Sequence, residues 1–146
     1  MLFRNRKDAA ELLIPYLDRY RNKNSIVLAV PRGGVPIAYP VAKAYHLPLD
    51  LLMTKKIGHP SHPEFAIGAV TLEDHIIDNE TGVPQSYIDG EITDIRKSLK
   101  NRYNHFTEGR KPVDIENKTV IIVDDGIATG NTILSAIKML RKGKPV

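Results

Sequence analysis

Two short runs, Ile26-Val-Leu-Ala-Val30 and Val120-Ile-Ile-Val123, are apolar at every position and rich in β-branched residues. Such a run has no polar face to offer water. It reads as a strand buried on both sides, the environment of a parallel sheet covered by helices. After the first run the chain turns through Pro31-Arg-Gly-Gly34 and predicts a helix from about Val35 to Tyr45, then a second strand at Leu49-Asp-Leu-Leu-Met53. Strand, helix and strand within about thirty residues is the spacing of a parallel crossover. Lys118 to Val123 is a third buried strand, and Ile133, Leu134, Ile137 and Leu140 mark a helix after it, closed by Gly143. The fold class expected is α/β, an open and mostly parallel sheet flanked by helices.

Residues 6–22 place Ala9, Leu12, Leu13, Tyr16 and Leu17 on one helical face, with Asn5 as cap and Asp8 near the positive end of the dipole. Pro15 predicts a kink or a second start there. The stretch from about Lys55 to Pro112 reads as an insertion between the second core strand and the third. It opens with a Gly58-His-Pro-Ser-His-Pro63 loop and continues as a hairpin, Ala66–Leu72 with His75–Asp78. An amphipathic helix over about 84–106 follows, on Ile88, Ile92, Ile95, Leu99, Tyr103 and Phe106. Arg96, Lys97, Lys100 and Arg102 on its other face read as a solvated surface. The 146 residues suit one domain with one core, and Lys144-Pro-Val146 stands where an alternating α/β chain begins its next strand, so the expectation is either a sheet that lacks its last core strand or a fragment of a longer chain. An uncovered edge strand recruits neighbours, and a homo-oligomer is expected.

A formal charge of +4 is too small to argue for a nucleic-acid surface but suits a small anionic ligand. The absence of Cys removes disulfides, thiolate nucleophiles and Cys-ligated zinc, and the charged start without an apolar leader makes the cytoplasm the default compartment. The apolar runs are too short to cross a membrane. His59 and His62 lack a third metal ligand at sensible spacing, and neither a Gly-x-Ser-x-Gly elbow nor a phosphate-binding lysine loop of the P-loop kind occurs.

Chemistry concentrates in Val120-Ile-Ile-Val-Asp-Asp-Gly-Ile-Ala-Thr-Gly-Asn-Thr132. A buried strand that ends in two acids delivers Asp124 and Asp125 to the rim of the sheet, where open α/β folds bind ligands. Two carboxylates there can accept hydrogen bonds from sugar hydroxyls or hold a hydrated Mg²⁺. The loop Ala128, Thr129, Gly130, Asn131 and Thr132 leads into a helix N-terminus, whose unpaired N–H groups and dipole favour a phosphate dianion. The residues therefore read as a sugar-phosphate site.

This segment resembles the phosphoribosyl-pyrophosphate signature of type I phosphoribosyltransferases, a hydrophobic strand, two acids and a small-residue loop rich in Thr and Gly. Val30-Pro-Arg-Gly-Gly-Val-Pro36 falls where that family keeps its pyrophosphate loop, and the order of elements follows the family over nearly the whole chain. The chain looks like the branch that reads Val-Pro-Arg-Gly-Gly early and Val-Asp-Asp-Gly-Ile-Ala-Thr-Gly late. The resemblance implies Mg²⁺-dependent transfer of phosphoribose from 5-phosphoribosyl 1-pyrophosphate to a nitrogenous acceptor, with release of pyrophosphate. Asp124 and Asp125 would hold the ribose and act on the metal through water or the sugar, and Ala128–Thr132 would anchor the 5-phosphate. Arg32, Gly33 and Gly34 would hold the pyrophosphate, with Lys55 and Lys56 at the end of the second strand.

Some members of the family carry an acid at the fifth signature position, where it contacts the acceptor base, and this chain has Ala128. An acceptor that needs deprotonation would then look to another group, for which Glu64 and Glu73 are candidates. Two alternatives keep the motif without turnover. One is a regulatory protein that binds phosphoribosyl pyrophosphate or a nucleotide; the other is a strand-deficient interaction fragment.

Overall fold

The structure, a computed structural model, describes residues 2–146. Its elements in chain order are α1 (Arg6–Leu13), a 3-10 turn (Ile14–Tyr20), β1 (Ser25–Ala29), α2 (Val35–Tyr45), β2 (Leu49–Leu51), β3 (Thr54–Gly58), β4 (Ala66–Thr71), β5 (His75–Ile77), α3 (Gln85–Thr107), β6 (Thr119–Val123), α4 (Asn131–Leu140) and a 3-10 turn (Arg141–Gly143). They fall into two compact units. One comprises the residues up to Leu52 with Pro112–Ala128 and Gly143–Val146, the other Met53–Lys111 with Thr129–Lys142.

The first unit is the parallel sheet in the order β2-β1-β6, with Val27 opposite both Leu49 and Ile121. β1 is central and all five of its residues are buried, as an unbroken apolar run requires. The apolar face of α2, Ile37, Ala38, Val41, Ala42 and Tyr45, packs with Val27, Ala29, Val123 and Ala10 into one core. Burying each large side chain contributes about 1.5–3 kcal/mol. β6 differs from expectation, because Thr119 to Ile122 are only half-buried and Val123 alone is buried. Its pairing with β1 is on one side, and an edge strand has fewer neighbours to cover it.

The Asn5 side chain accepts the Asp8 N–H at 2.9 Å and starts α1. The helix expected over 6–22 stops at Leu13 and continues as the 3-10 turn, since Pro15 has no N–H for an α-helical bond. The Tyr45 hydroxyl donates to the Ile14 carbonyl and ties that turn to α2. Asp50, a carboxylate inside a strand, is buried because it accepts the N–H groups of Leu51 and Val113 at 2.8 Å each, which fastens the returning chain to β2. Gly143 does not close α4 with a left-handed residue. The positive φ falls at Lys144, after which Lys144 accepts the Asn117 N–H and Val146 donates to the Lys118 carbonyl, beside the start of β6.

The second unit holds an antiparallel sheet, β3-β4-β5, rather than the expected two-stranded hairpin. The added strand, Thr54-Lys-Lys-Ile-Gly58, has one buried apolar residue, Ile57, and such a sequence carries little strand signal of its own. α3 buries Ile88, Ile92, Ile95, Leu99 and Tyr103 at the expected spacing, while Phe106, near its end, is 41% exposed. The Tyr87 hydroxyl donates to the Gly58 carbonyl at 2.8 Å. α4 packs on this second sheet through Ala136 and Met139, and Lys142 pairs with Asp74 at 2.7 Å. Among the described residues no helix is long and apolar enough to cross a membrane.

Candidate functional site

In the first unit the parallel register sets Ala29 beside Val123, so the residues that follow each strand emerge side by side at the carboxyl edge. Val30 donates its N–H to the Val123 carbonyl at 2.8 Å, and the chain then turns tightly, with Gly34 N–H on the Val30 carbonyl at 2.9 Å. The Pro31–Arg32 peptide bond in this turn is cis. Sequence places Arg32-Gly33-Gly34 and Asp124-Asp125 far apart, and the register makes them neighbours.

Both glycines are required by close approach. A Cβ on Gly33 would lie 2.0 Å from Asp125 Oδ2, so the Asp125 carboxylate rests directly on the loop. A Cβ on Gly34 would lie 2.4 Å from the Val123 carbonyl oxygen and 2.6 Å from that of Val30. Arg32 itself is exposed, with its fork of donors available to an anion at the strand ends.

The two acids differ. Asp124 accepts the Asp125 N–H at 2.8 Å. Burial pushes the Asp124 carboxyl above its ordinary value; the Asp125 amide opposes this and the Asp125 carboxylate adds to it. Asp125 is held below its ordinary value, chiefly by the hydrogen bond from Arg6. The Arg6 Nη2 and Nε both reach Asp125 Oδ2, at 2.6 and 3.2 Å. Arg6 escaped the sequence reading because it lies 119 positions from its partner and no local pattern marks it.

The signs of these shifts set the pH response. Asp125, depressed in the fold, contributes stability in full above the unfolded value of 3.8 and loses it as pH falls through its lower folded value. Asp124 runs the other way, because its charged form is penalised by the fold, so ionisation above 3.8 takes stability away. A carbon-detected NMR titration of the carboxyl groups is expected to place the Asp124 midpoint above 3.8 and that of Asp125 below it. Coincident midpoints would contradict this geometry.

A cleft of about 330 Å³ opens beside the acids. Phe3, Ala9, Leu13 and Ile37 give it apolar walls, and Arg6, Asp124 and Asp125 its charges.

The remaining expected residues are described each within its own unit. Ala128 is exposed at the end of the first unit's segment, and Thr129 to Thr132 belong to the second unit. Gly130 has φ 79° and precedes α4, whose N-terminus has no side-chain cap at that position. Thr129 Oγ1 accepts the Asn131 N–H at 3.4 Å. Lys55 and Lys56 sit within β3, exposed, rather than at the end of β2, and Lys56 Nζ is 3.8 Å from a Glu64 carboxylate oxygen. Glu64 and Glu73 are both exposed. The rings of His59 and His62 stack at 5.6 Å, with the Ser61 N–H on His59 Nδ1.

Comparison with known proteins gives a consistent picture. The family model for the phosphoribosyl transferase domain matches residues 2–146. A Mycobacterium tuberculosis protein named "Putative phosphoribosyl transferase Rv0571c" is 38% identical over 145 residues, covering 96% of this chain and 33% of the relative. The chain thus spans about a third of that curated relative's length. "Transcriptional regulator GfcR" of Methanosphaera stadtmanae is 33% identical over 89 residues, covering 53% of this chain and 45% of the regulator. Among solved structures, the crystal structure of TT1426 from Thermus thermophilus aligns with a TM-score of 0.84 and 32% identity, over 99% of this chain and 71% of that one.

Proposed function

This chain belongs to the phosphoribosyl transferase domain family, and on that premise we propose that it moves a phosphoribosyl group from 5-phosphoribosyl 1-pyrophosphate to a nitrogenous acceptor. The observation that carries the reading is the convergence of Arg32-Gly33-Gly34 with Asp124-Asp125 at the ends of two paired parallel strands. In this reaction the bond from the anomeric carbon to pyrophosphate breaks and a bond to the acceptor nitrogen forms, with positive charge developing on the ribose between the two. The protein's contribution is positioning and charge stabilisation.

Asp124 and Asp125 accept hydrogen bonds from the ribose hydroxyls and stand as negative charges near the ring. The loop from Ala128 to Thr132 receives the 5-phosphate on backbone N–H groups and the hydroxyls of Thr129 and Thr132. Arg32 and the amides of Gly33 and Gly34 hold the diphosphate. Lys55 and Lys56 are the further cations proposed for the diphosphate.

The two carboxylates suit Mg²⁺, a hard cation that takes oxygen ligands and is held by one or two carboxylates together with substrate oxygens. Among the described residues no group of three or more His, Asp or Glu side chains is placed to hold a metal. When bound, Mg²⁺ offsets the charge of the leaving diphosphate.

Calorimetry with phosphoribosyl pyrophosphate and Mg²⁺ is expected to give binding in the micromolar to millimolar range; silence at millimolar ligand would reject the reading. Pyrophosphate release against a panel of purine, pyrimidine and pyridine acceptors tests turnover. Ala128, where some relatives place a base-contacting acid, favours a second reading in which the chain binds phosphoribosyl pyrophosphate as a regulator, and binding without release would select it.

A further inference from the structure

Arg6 is the first residue of α1, and its place is set from both sides. Asn5 caps the helix on the Asp8 N–H, and Asp8 in turn receives the Arg4 guanidinium at 2.7 Å and the Arg4 N–H at 3.1 Å. This braced start directs two N–H donors of Arg6 onto a single oxygen, Asp125 Oδ2. The same carboxylate rests on Gly33, where a Cβ would come within 2.0 Å of Oδ2. Asp125 is therefore enclosed by the loop on one side and by a guanidinium on another, and Oδ2 is already supplied with donors.

We infer that Arg6 is a built-in counter-ion of Asp125, occupying the carboxylate edge that a sugar's hydroxyls need, and that ligand binding exchanges the Arg6 N–H groups for those hydroxyls. The inference rests on the sugar-phosphate reading of Asp124-Asp125 given above. A binding-competent state that is only partly populated lowers apparent affinity by that fraction. Arg6 is also half-exposed, so release into water is cheap and the pair acts as a weak latch. Before that exchange its role is to hold the Asp125 carboxylate in place against Gly33.

The test uses ribose 5-phosphate and, separately, inorganic phosphate as calorimetric probes on the wild-type chain and on Arg6→Gln. Loss of the internal competitor is expected to tighten ribose 5-phosphate by about two- to fivefold, the range that an exposed ion pair allows. Inorganic phosphate is an anion without sugar hydroxyls, which a carboxylate repels, so its affinity is expected not to tighten through Asp125. Arg6→Lys keeps a charge without the fork and is expected to fall between wild type and Arg6→Gln for ribose 5-phosphate. Weaker or unchanged ribose 5-phosphate binding in Arg6→Gln would overturn the counter-ion role, and equal tightening of both probes would do the same. If neither wild type nor variant binds ribose 5-phosphate at millimolar concentration, the sugar-phosphate reading fails and takes the inference with it.

Discussion

Replacing Asp124 and Asp125 together by Asn is expected to weaken phosphoribosyl pyrophosphate binding by about a hundredfold or more while leaving the fold intact. A hydrogen bond accepted by a charged group contributes about 1.5–3 kcal/mol, and two carboxylates stand at this strand end. Asn preserves volume and can still accept, but it removes the negative charge that the ribose hydroxyls and a divalent cation require. Stability should hold because the changes offset. Asp124 is relieved of its burial penalty, whereas Asp125 loses a half-exposed ion pair with Arg6. Calorimetric affinity and a melting curve on the same preparation check both halves, and unchanged affinity would mean that the sugar is held elsewhere.

Gly34→Ala is expected to have the largest effect on stability. The new methyl would stand 2.4 Å from the Val123 carbonyl oxygen, 2.6 Å from that of Val30 and 3.0 Å from the Val30 nitrogen. All three atoms are backbone, at the level where β1 and β6 are bonded through Val30 N–H and the Val123 carbonyl, so none can swing aside. Separating the strand ends should cost about 3 kcal/mol or more, which for a chain of this size lowers the melting temperature by roughly 10 °C. Gly126→Ala is the control, since a Cβ there meets nothing within 4 Å, and its stability should stay within about 0.5 kcal/mol of wild type. Gly33→Ala is intermediate in kind, because its methyl meets the Asp125 side chain, which can rotate. It should spare the fold more than Gly34→Ala and displace the carboxylate instead. Equal melting temperatures for Gly34→Ala and Gly126→Ala would show that the loop tolerates what its geometry forbids.

Legibility followed the range of the interactions. Val35–Tyr45, Gln85–Thr107 and the central strand were readable because apolar spacing or an unbroken apolar run is a local property that burial then exploits. The Asn5 cap was readable for the same reason. Thr54–Gly58 was not, since a strand with two lysines and one buried isoleucine owes its state to pairing with β4 rather than to its own pattern. Phe106 follows the stripe of α3 but lies at its last turn, and 41% of it stays exposed.

The candidate site divides in the same way. Sequence by itself determined that an apolar strand ends in two acids, that a Thr- and Gly-rich loop enters a helix after them, and that an Arg-Gly-Gly turn follows a buried strand. Those are covalent neighbours, and their chemistry is fixed by order along the chain. Only the tertiary structure decided that Gly33 lies under Asp125, that Arg6 reaches across 119 positions to hold it, and that burial raises one acid while an arginine lowers the other. Carboxylate energies depend on what stands within a few ångströms. Strand register and helix packing, not the local sequence, choose those neighbours.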